Sequence, residues 1–290
     1  LKEINANGTA GKTVTFANDV YATNTNIGAG TVDIKGNLTG AVNSTSAGVG
    51  TLTTTGTTNQ TITGAVGNIG NLNVSNTGFT TTIAGDVNAV NTKIDSTLIM
   101  TDGSNVTSTI TGTGNLILNG DSTVTGTVGN STTSLGSINA NGIAGKTVTF
   151  ENDVYATNTK IGAGTGNFNT VSGTTTSNLQ YTDNGTANLN NGLTGNVTTT
   201  ADNKGTFNLV GSNNQTVSGT VGDSTNKLAE INTGTGTTNF ANDVYATNTK
   251  IGTGTINFNT VSGTTNTNII FTDNGTANLL NGLTGNIDFA

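Results

Sequence analysis

The sequence predicts an all-β chain wound into a β-solenoid, a stack of roughly a dozen coils in which each strand pairs with its equivalents above and below. Three features point there: long internal repeats, alternation of apolar with hydroxyl or amide side chains, and turn residues recurring about every ten positions. The octapeptide NDVYATNT occurs at residues 18–25, 152–159 and 242–249. Residues 166–197 align with residues 255–287 at an offset of about 90, so the long module is roughly 90 residues. A second signature reads NQTITGAVG at 59–67, DSTVTGTVG at 121–129 and NQTVSGTVG at 214–222, each followed by an apolar pair: Leu72/Val74, Leu135/Ile138 and Leu228/Ile231. These repeats divide the chain into modules at approximately 1–137, 138–230 and 231–290, all within a single solenoid segment (1–290).

Within a module the period is that of strands. Val148/Phe150, Phe207/Leu209 and Val217/Gly219/Val221 alternate with Thr, Asn or Ser, giving one apolar and one hydroxyl-rich face. Thr, Val and Ile favour pleated backbone, and in a chain without Pro the bends fall to Gly, Asn and Asp, as in Asp183-Asn184-Gly185 and Asp273-Asn274-Gly275. Helical spacing is confined to a turn around Leu228 to Ile231. A sandwich of this length would want larger interior side chains, whereas a narrow coil is filled by Val, Ile, Leu, Ala and Thr. At roughly 20 to 25 residues per coil and about 4.8 Å between strands, the rod would be about 60 Å long. Asn at the turns would stack coil upon coil, and the repeats suggest identical segments lying directly atop one another. Disorder is the rival, because polar low-complexity chains can stay unfolded, but regular alternation and low charge favour a fold.

Composition excludes several functions. The 290 residues contain no Cys, His, Trp, Pro or Arg, only 9% are charged, and the net charge is −7. Without Cys or His there is no thiol nucleophile, thiolate zinc site or near-neutral acid/base. Nine scattered lysines on an acidic chain do not make a nucleic-acid footprint. The longest apolar runs, such as Leu98-Ile99-Met100 and Ile269-Ile270-Phe271, are far below the roughly 18 residues of a membrane span. No signal peptide is visible at Leu1, and the start Leu1-Lys2-Glu3-Ile4-Asn5 matches Leu228 to Asn232, which suggests a piece of a longer protein.

The run NQTVSGTVG, then Leu228 and Ile231, then NDVYATNTKIG at 242–252 resembles the passenger regions of bacterial autotransporters, and is most similar to the large surface-antigen and S-layer-type proteins of rickettsiae. That resemblance implies a right-handed parallel β-helix, exported through a C-terminal β-barrel lying beyond this segment and displayed at the outer membrane as an adhesin or surface coat. A chain without Cys has no disulfide to block passage while unfolded, and one without Pro has no slow isomerisation to delay coil-by-coil folding.

Candidate sites are few. Tyr21, Tyr155 and Tyr245 occupy the same repeat position, one residue out of phase with Val20, Val154 and Val244, and would form an outward aromatic row suited to sugar or protein contacts, or else pack over a neighbouring loop. Asp19, Asp153 and Asp243 recur in every NDVY and read as turn residues rather than catalysts. The Asp183 and Asp273 turns read as Asx turns, with calcium ligation the lesser alternative. Thr-rich rows at 51–53, 80–82 and 198–200 read as solvated strand residues rather than an ice-binding face, and sequons such as Asn7-Gly8-Thr9 arise readily in so Asn/Thr-rich a chain. No cofactor or metal is implied. The leading expectation is a non-enzymatic surface segment contacting a host-cell protein, a glycan or neighbouring subunits by multivalency, with lateral or end-to-end self-association promoted at exposed strand edges. The alternatives are a carbohydrate-active enzyme on the same scaffold, which needs paired carboxylates in a groove, and a phage or pilus fibre module.

Overall fold

The computed structural model describes residues 1–6, 8–140, 142–170, 175–259 and 265–290. Every regular element among them is a strand, 32 in all, and every registered pairing is parallel. Pairing follows the rule of a solenoid: a strand bonds not to its neighbour in sequence but to the strands one coil earlier and one coil later. The chain is a parallel β-solenoid of about 14 turns, divided into two compact units, Leu1–Ile138 and Asn139–Ala290. Among the described residues, no helix is long and apolar enough to cross a membrane.

Each coil has three sides, and inward side chains stack in columns. In the second unit one column runs Phe150, Phe168, Leu189, Leu209, Thr233, Ile251, Phe271, Phe289. A second runs Thr175, Leu193, Val217, Phe240, Phe258, Leu279. The third runs Thr159, Leu179, Val197, Val221, Val244. The first unit repeats the plan, with Val20, Leu38, Ile62, Ile83, Met100 and Leu118 on one side. Thr25, Val42, Val66, Val87, Val106 and Val124 stack on the next. Strict alternation along Thr147–Phe150, Thr165–Phe168 and Thr186–Leu189 buries every second residue, as period-2 patterning requires.

Successive coils are 17 to 24 residues long, so the shortest fall below the 20 that the sequence suggests. Corners appear as register shifts inside long strands, between Tyr21 and Asn24, Tyr155 and Asn158, and Tyr245 and Asn248, where the chain leaves one side for the next. Glycine is obligatory at some corners. Gly40 has φ 107°, and a Cβ there would collide with the Ala22 carbonyl of the coil beneath.

Two expectations are corrected. Leu228 to Ile231 is not helical but lies in the strand Leu228–Thr233, whose partner strand carries Gly205 at φ 81°. The bend lets Leu228 and Ile231 both point inward, which mimics helical spacing. More consequentially, identical segments do not lie atop one another. Val154 directly precedes Tyr155, the partner of Thr176, which puts it on the side of Thr175, Leu193, Val217 and Phe240. Its repeat counterpart Val244 falls in the column of Leu179, Val197 and Val221 instead. Likewise Phe150 and Phe240, equivalent in sequence, occupy different sides. The 90-residue module therefore spans four coils and one further side, and each copy is turned by about a third of a coil. The first unit does the same with its shorter signature. Ile62 and Val66 of one copy occupy the columns of Leu38 and Val42, while Val124 of the next copy has moved into the column of Val66.

Candidate functional site

Stacking governs the polar surface as it does the core. In the second unit an amide column climbs one side: Asn188 donates to Asn167 Oδ1, Asn208 to Asn188 and Asn232 to Asn208, each at 2.7 Å. It starts on Thr149 Oγ1 and ends where Asn232 also reaches Glu230 Oε1 at 2.8 Å, beside the Lys250–Glu230 ion pair at 2.5 Å. A shorter column joins Asn239, Asn257 and Asn278, again at 2.7 Å. These columns stand mid-strand, not at the turns as the sequence suggests. Turn amides and carboxylates do a different job, accepting from the main chain of the next coil. Asp19 Oδ1 accepts from the Asn37 amide at 2.7 Å, and Asn37 Oδ1 from that of Thr61 at 2.9 Å. Asp86, Asn105 and Asn196 repeat the device, and Asn178 does the same from within the strand Thr175–Tyr181.

Several of the acids are thus tied into the scaffold. Asp19 serves its turn, and Asp153 and Asp243 lie in the irregular segments just before their strands. Asp183 and Asp273 each accept from the amide of the very next Asn, at 2.8 and 2.7 Å, one residue short of the i+2 bond of the expected Asx turn, and Asp183 also takes Lys204 Nζ at 3.3 Å. The Asn184 amide chiefly, then Lys204, holds the Asp183 carboxyl below the usual range. Partial burial would raise that of Glu230, but the bonds from Lys250 and Asn232 outweigh it and leave it lowered. Among the described residues, no three Asp or Glu gather as metal ligands would.

The tyrosines differ in their settings. Tyr21 is 64% exposed, its hydroxyl 3.3 Å from Asp19 Oδ2, in a shallow depression lined by Asp19, Lys35, Thr57 and Thr58. Tyr155 and Tyr245 are half-buried and face different sides of the coil, Tyr155 beneath Thr176 and Tyr245 beneath Asn266, so they make no row in their unit. The Thr rows are only partly solvated. Thr81 is buried against Thr54 Oγ1 at 2.9 Å, and Thr199 is buried as well. Asn7 of the sequon, and residues 171–174 and 260–264 of the aligned modules, lie outside the described residues.

Sequence reasoning missed a cleft of about 380 Å³ in the second unit, lined by Asp202, Lys227, Ala246, Thr247, Asn266, Thr267, Asn268, Thr284 and Gly285. Its wall is built by bonds that skip a coil. Lys227 Nζ donates to Asn266 Oδ1 at 2.9 Å across 39 residues, and Thr247 Oγ1 to Asn203 Oδ1 at 2.8 Å across 44. Asp202 Oδ1 accepts from the Lys227 amide at 2.9 Å and fixes the corner. No local motif carries this arrangement, because its members are scattered over five successive coils. Comparison of the chain with models of known protein families, with curated proteins and with solved structures finds no match.

Proposed function

We propose that this chain is a surface-exposed structural and adhesive segment of a bacterial autotransporter passenger. In this reading it coats the outer-membrane surface and contacts host-cell proteins or glycans and neighbouring copies of itself, without catalysing a reaction. The observation that carries the reading is how the polar groups are used. Carboxylates and amides that would serve an enzyme are tied into turns and columns that hold coils together. What remains outward is a repeated, nearly uncharged Thr/Asn surface suited to many weak contacts whose sum is avidity. The rotation of successive modules supports a coating role, since the same short surface is offered on more than one side.

The test is display. Intact cells of the source bacterium, probed with antibody to this chain, should label at the surface and lose the label on brief external protease treatment. Beads carrying the purified chain should bind host cells above albumin-coated beads. Label found only after lysis, together with beads that bind no better than the control, would refute the proposal.

A further inference from the structure

We infer that the cleft at Asp202, Lys227, Thr247 and Asn266 is a binding site for an uncharged, hydroxyl-rich ligand, the neutral sugar residues of a glycan. The inference deepens the adhesive reading above and rests on it for its biological meaning. The volume, about 380 Å³, falls within the range of small-ligand clefts. The lining supplies both halves of the hydrogen-bonding that a hydroxyl needs. Lys227 gives one N–H to Asn266 and keeps the rest of its ammonium for a ligand. Asp202 gives one oxygen to the Lys227 amide and keeps the other. Thr247, Thr284 and Asn268 add neutral donors and acceptors around the rim.

Charge decides the class of ligand. The lining contains one carboxylate and one ammonium and no further ionisable side chain, so the cleft has no net charge with which to hold a phosphate, sulfate or carboxylate. Its buried floor, Ala246 and Thr267, is small and offers no deep pocket for an apolar anchor. A polyol, whose hydroxyls donate and accept in turn, matches such a mixed neutral lining. The site is also singular. Tyr245, Asn266 and Thr284 stack in register, whereas the repeat-equivalent Tyr155, Thr176 and Thr194 stack on another side of the coil, away from Asp202 and Lys227. The turning of one module against the next thus makes a unique site from a repeated sequence.

The experiment titrates the full chain, isotope-labelled for NMR, with lactose, maltose, cellobiose and diacetylchitobiose, and with sialyllactose and a sulfated heparin disaccharide as charged counterparts. At least one neutral disaccharide should shift the side-chain amides of Asn266 and Asn268. Asp202→Asn, which keeps the oxygen that fixes the Lys227 amide, and Thr247→Val should each weaken that binding roughly five- to tenfold, the loss expected for one hydrogen bond. Lys35→Met, in the other unit, should leave it unchanged. Binding of the charged sugars alone, no shift at these amides with any neutral sugar, or variants that bind like the parent chain would each overturn the assignment. Bead adhesion of the same variants separates the two readings. Adhesion that survives loss of sugar binding removes the cleft from the contact. Sugar binding by a parent chain that does not adhere refutes the surface role and leaves the site.

Discussion

Replacing Asn208 by Ala tests whether the amide column holds coils together. Asn208 gives one bond to Asn188 and receives one from Asn232, both at 2.7 Å and partly buried. At about 0.5–1.5 kcal/mol net for each bond, the loss should be about 1–3 kcal/mol. Asn167 receives one 2.7 Å bond and donates only a long one, 3.4 Å, to Thr149, so Asn167→Ala should cost about half as much. Asn213, exposed in a turn, sets the baseline at about 0.5 kcal/mol or less. Because Asn188 and Asn208 share a bond, the double alanine variant removes three bonds where the two singles together count four, and the deficit should be about 1 kcal/mol of coupling. A solenoid is stabilised by nearest-neighbour terms, so the assay must be local. Hydrogen–deuterium exchange should accelerate in Thr186–Leu189, Lys204–Leu209 and Leu228–Thr233, and stay unchanged in Thr31–Ile34 of the other unit. The reasoning fails if Asn208→Ala is as mild as Asn213→Ala, or if the double variant is additive.

Gly205→Ala should destabilise by about 2–5 kcal/mol, read as a drop in denaturation midpoint, since φ 81° is costly for alanine and its Cβ would meet the buried Tyr181 ring. In this cysteine-free chain the register is testable by cross-linking: Thr216→Cys with Asn239→Cys, partners across one coil, should oxidise to a disulfide, while Asn208→Cys with Asn239→Cys, on different sides, should not. The lowered carboxyl of Glu230 means its pair with Lys250 adds stability above the ordinary Glu range and loses it as pH falls through the folded value. Acid melting curves of Glu230→Gln should therefore converge with those of the parent chain at low pH. Burial, only partly countered by a main-chain bond from Ala187, pushes the Tyr181 hydroxyl far up, so stability should fall as pH rises past about 10, and Tyr181→Phe should blunt that fall in an alkaline denaturation series.

The strands and their inward faces were legible because period-2 alternation is a local property. Val148 and Phe150 alternate with Thr147 and Thr149 whatever lies above them, and the structure buries both. The stacked coil was legible for a similar reason, since many short strands in register have few other ways to satisfy their main chain, although the interior also takes rings such as Phe150, Phe207 and Tyr181, larger than the side chains expected in so narrow a coil. The order of stacking was not legible. A corner and the closing turn of a coil are both written in Gly, Asn and Asp, so the sequence does not mark where a coil ends. Coil lengths of 17 to 24 residues leave the remainder of a 90-residue module undetermined. Once Tyr155 and Tyr245 are turned to different sides, a row inferred from their spacing dissolves. The cleft was illegible because Asp202, Lys227 and Asn266 meet only after three coils have been wound.

That the modules need not stack on their own copies follows from what a column demands. Each position wants a strand backbone and an inward side chain that fits its immediate neighbours, and little else. One column accordingly passes from Phe168 through Leu189 and Leu209 to Thr233 and Ile251. The space for the Phe168 ring is provided by Gly166, whose added Cβ would lie 3.3 Å from it. Main-chain bonds, indifferent to residue type, supply the continuity, and buried hydroxyl pairs such as Thr159 with Ser177 and Thr249 with Thr267 close the polar gaps. Duplication of a module is therefore tolerated at any remainder, and the remainder here is about one side. The same outward residues then face different directions in successive copies. A rigid partner approaching from one side would meet one copy, so on the adhesive reading proposed above the repeats would serve several partners around the scaffold rather than one partner along it.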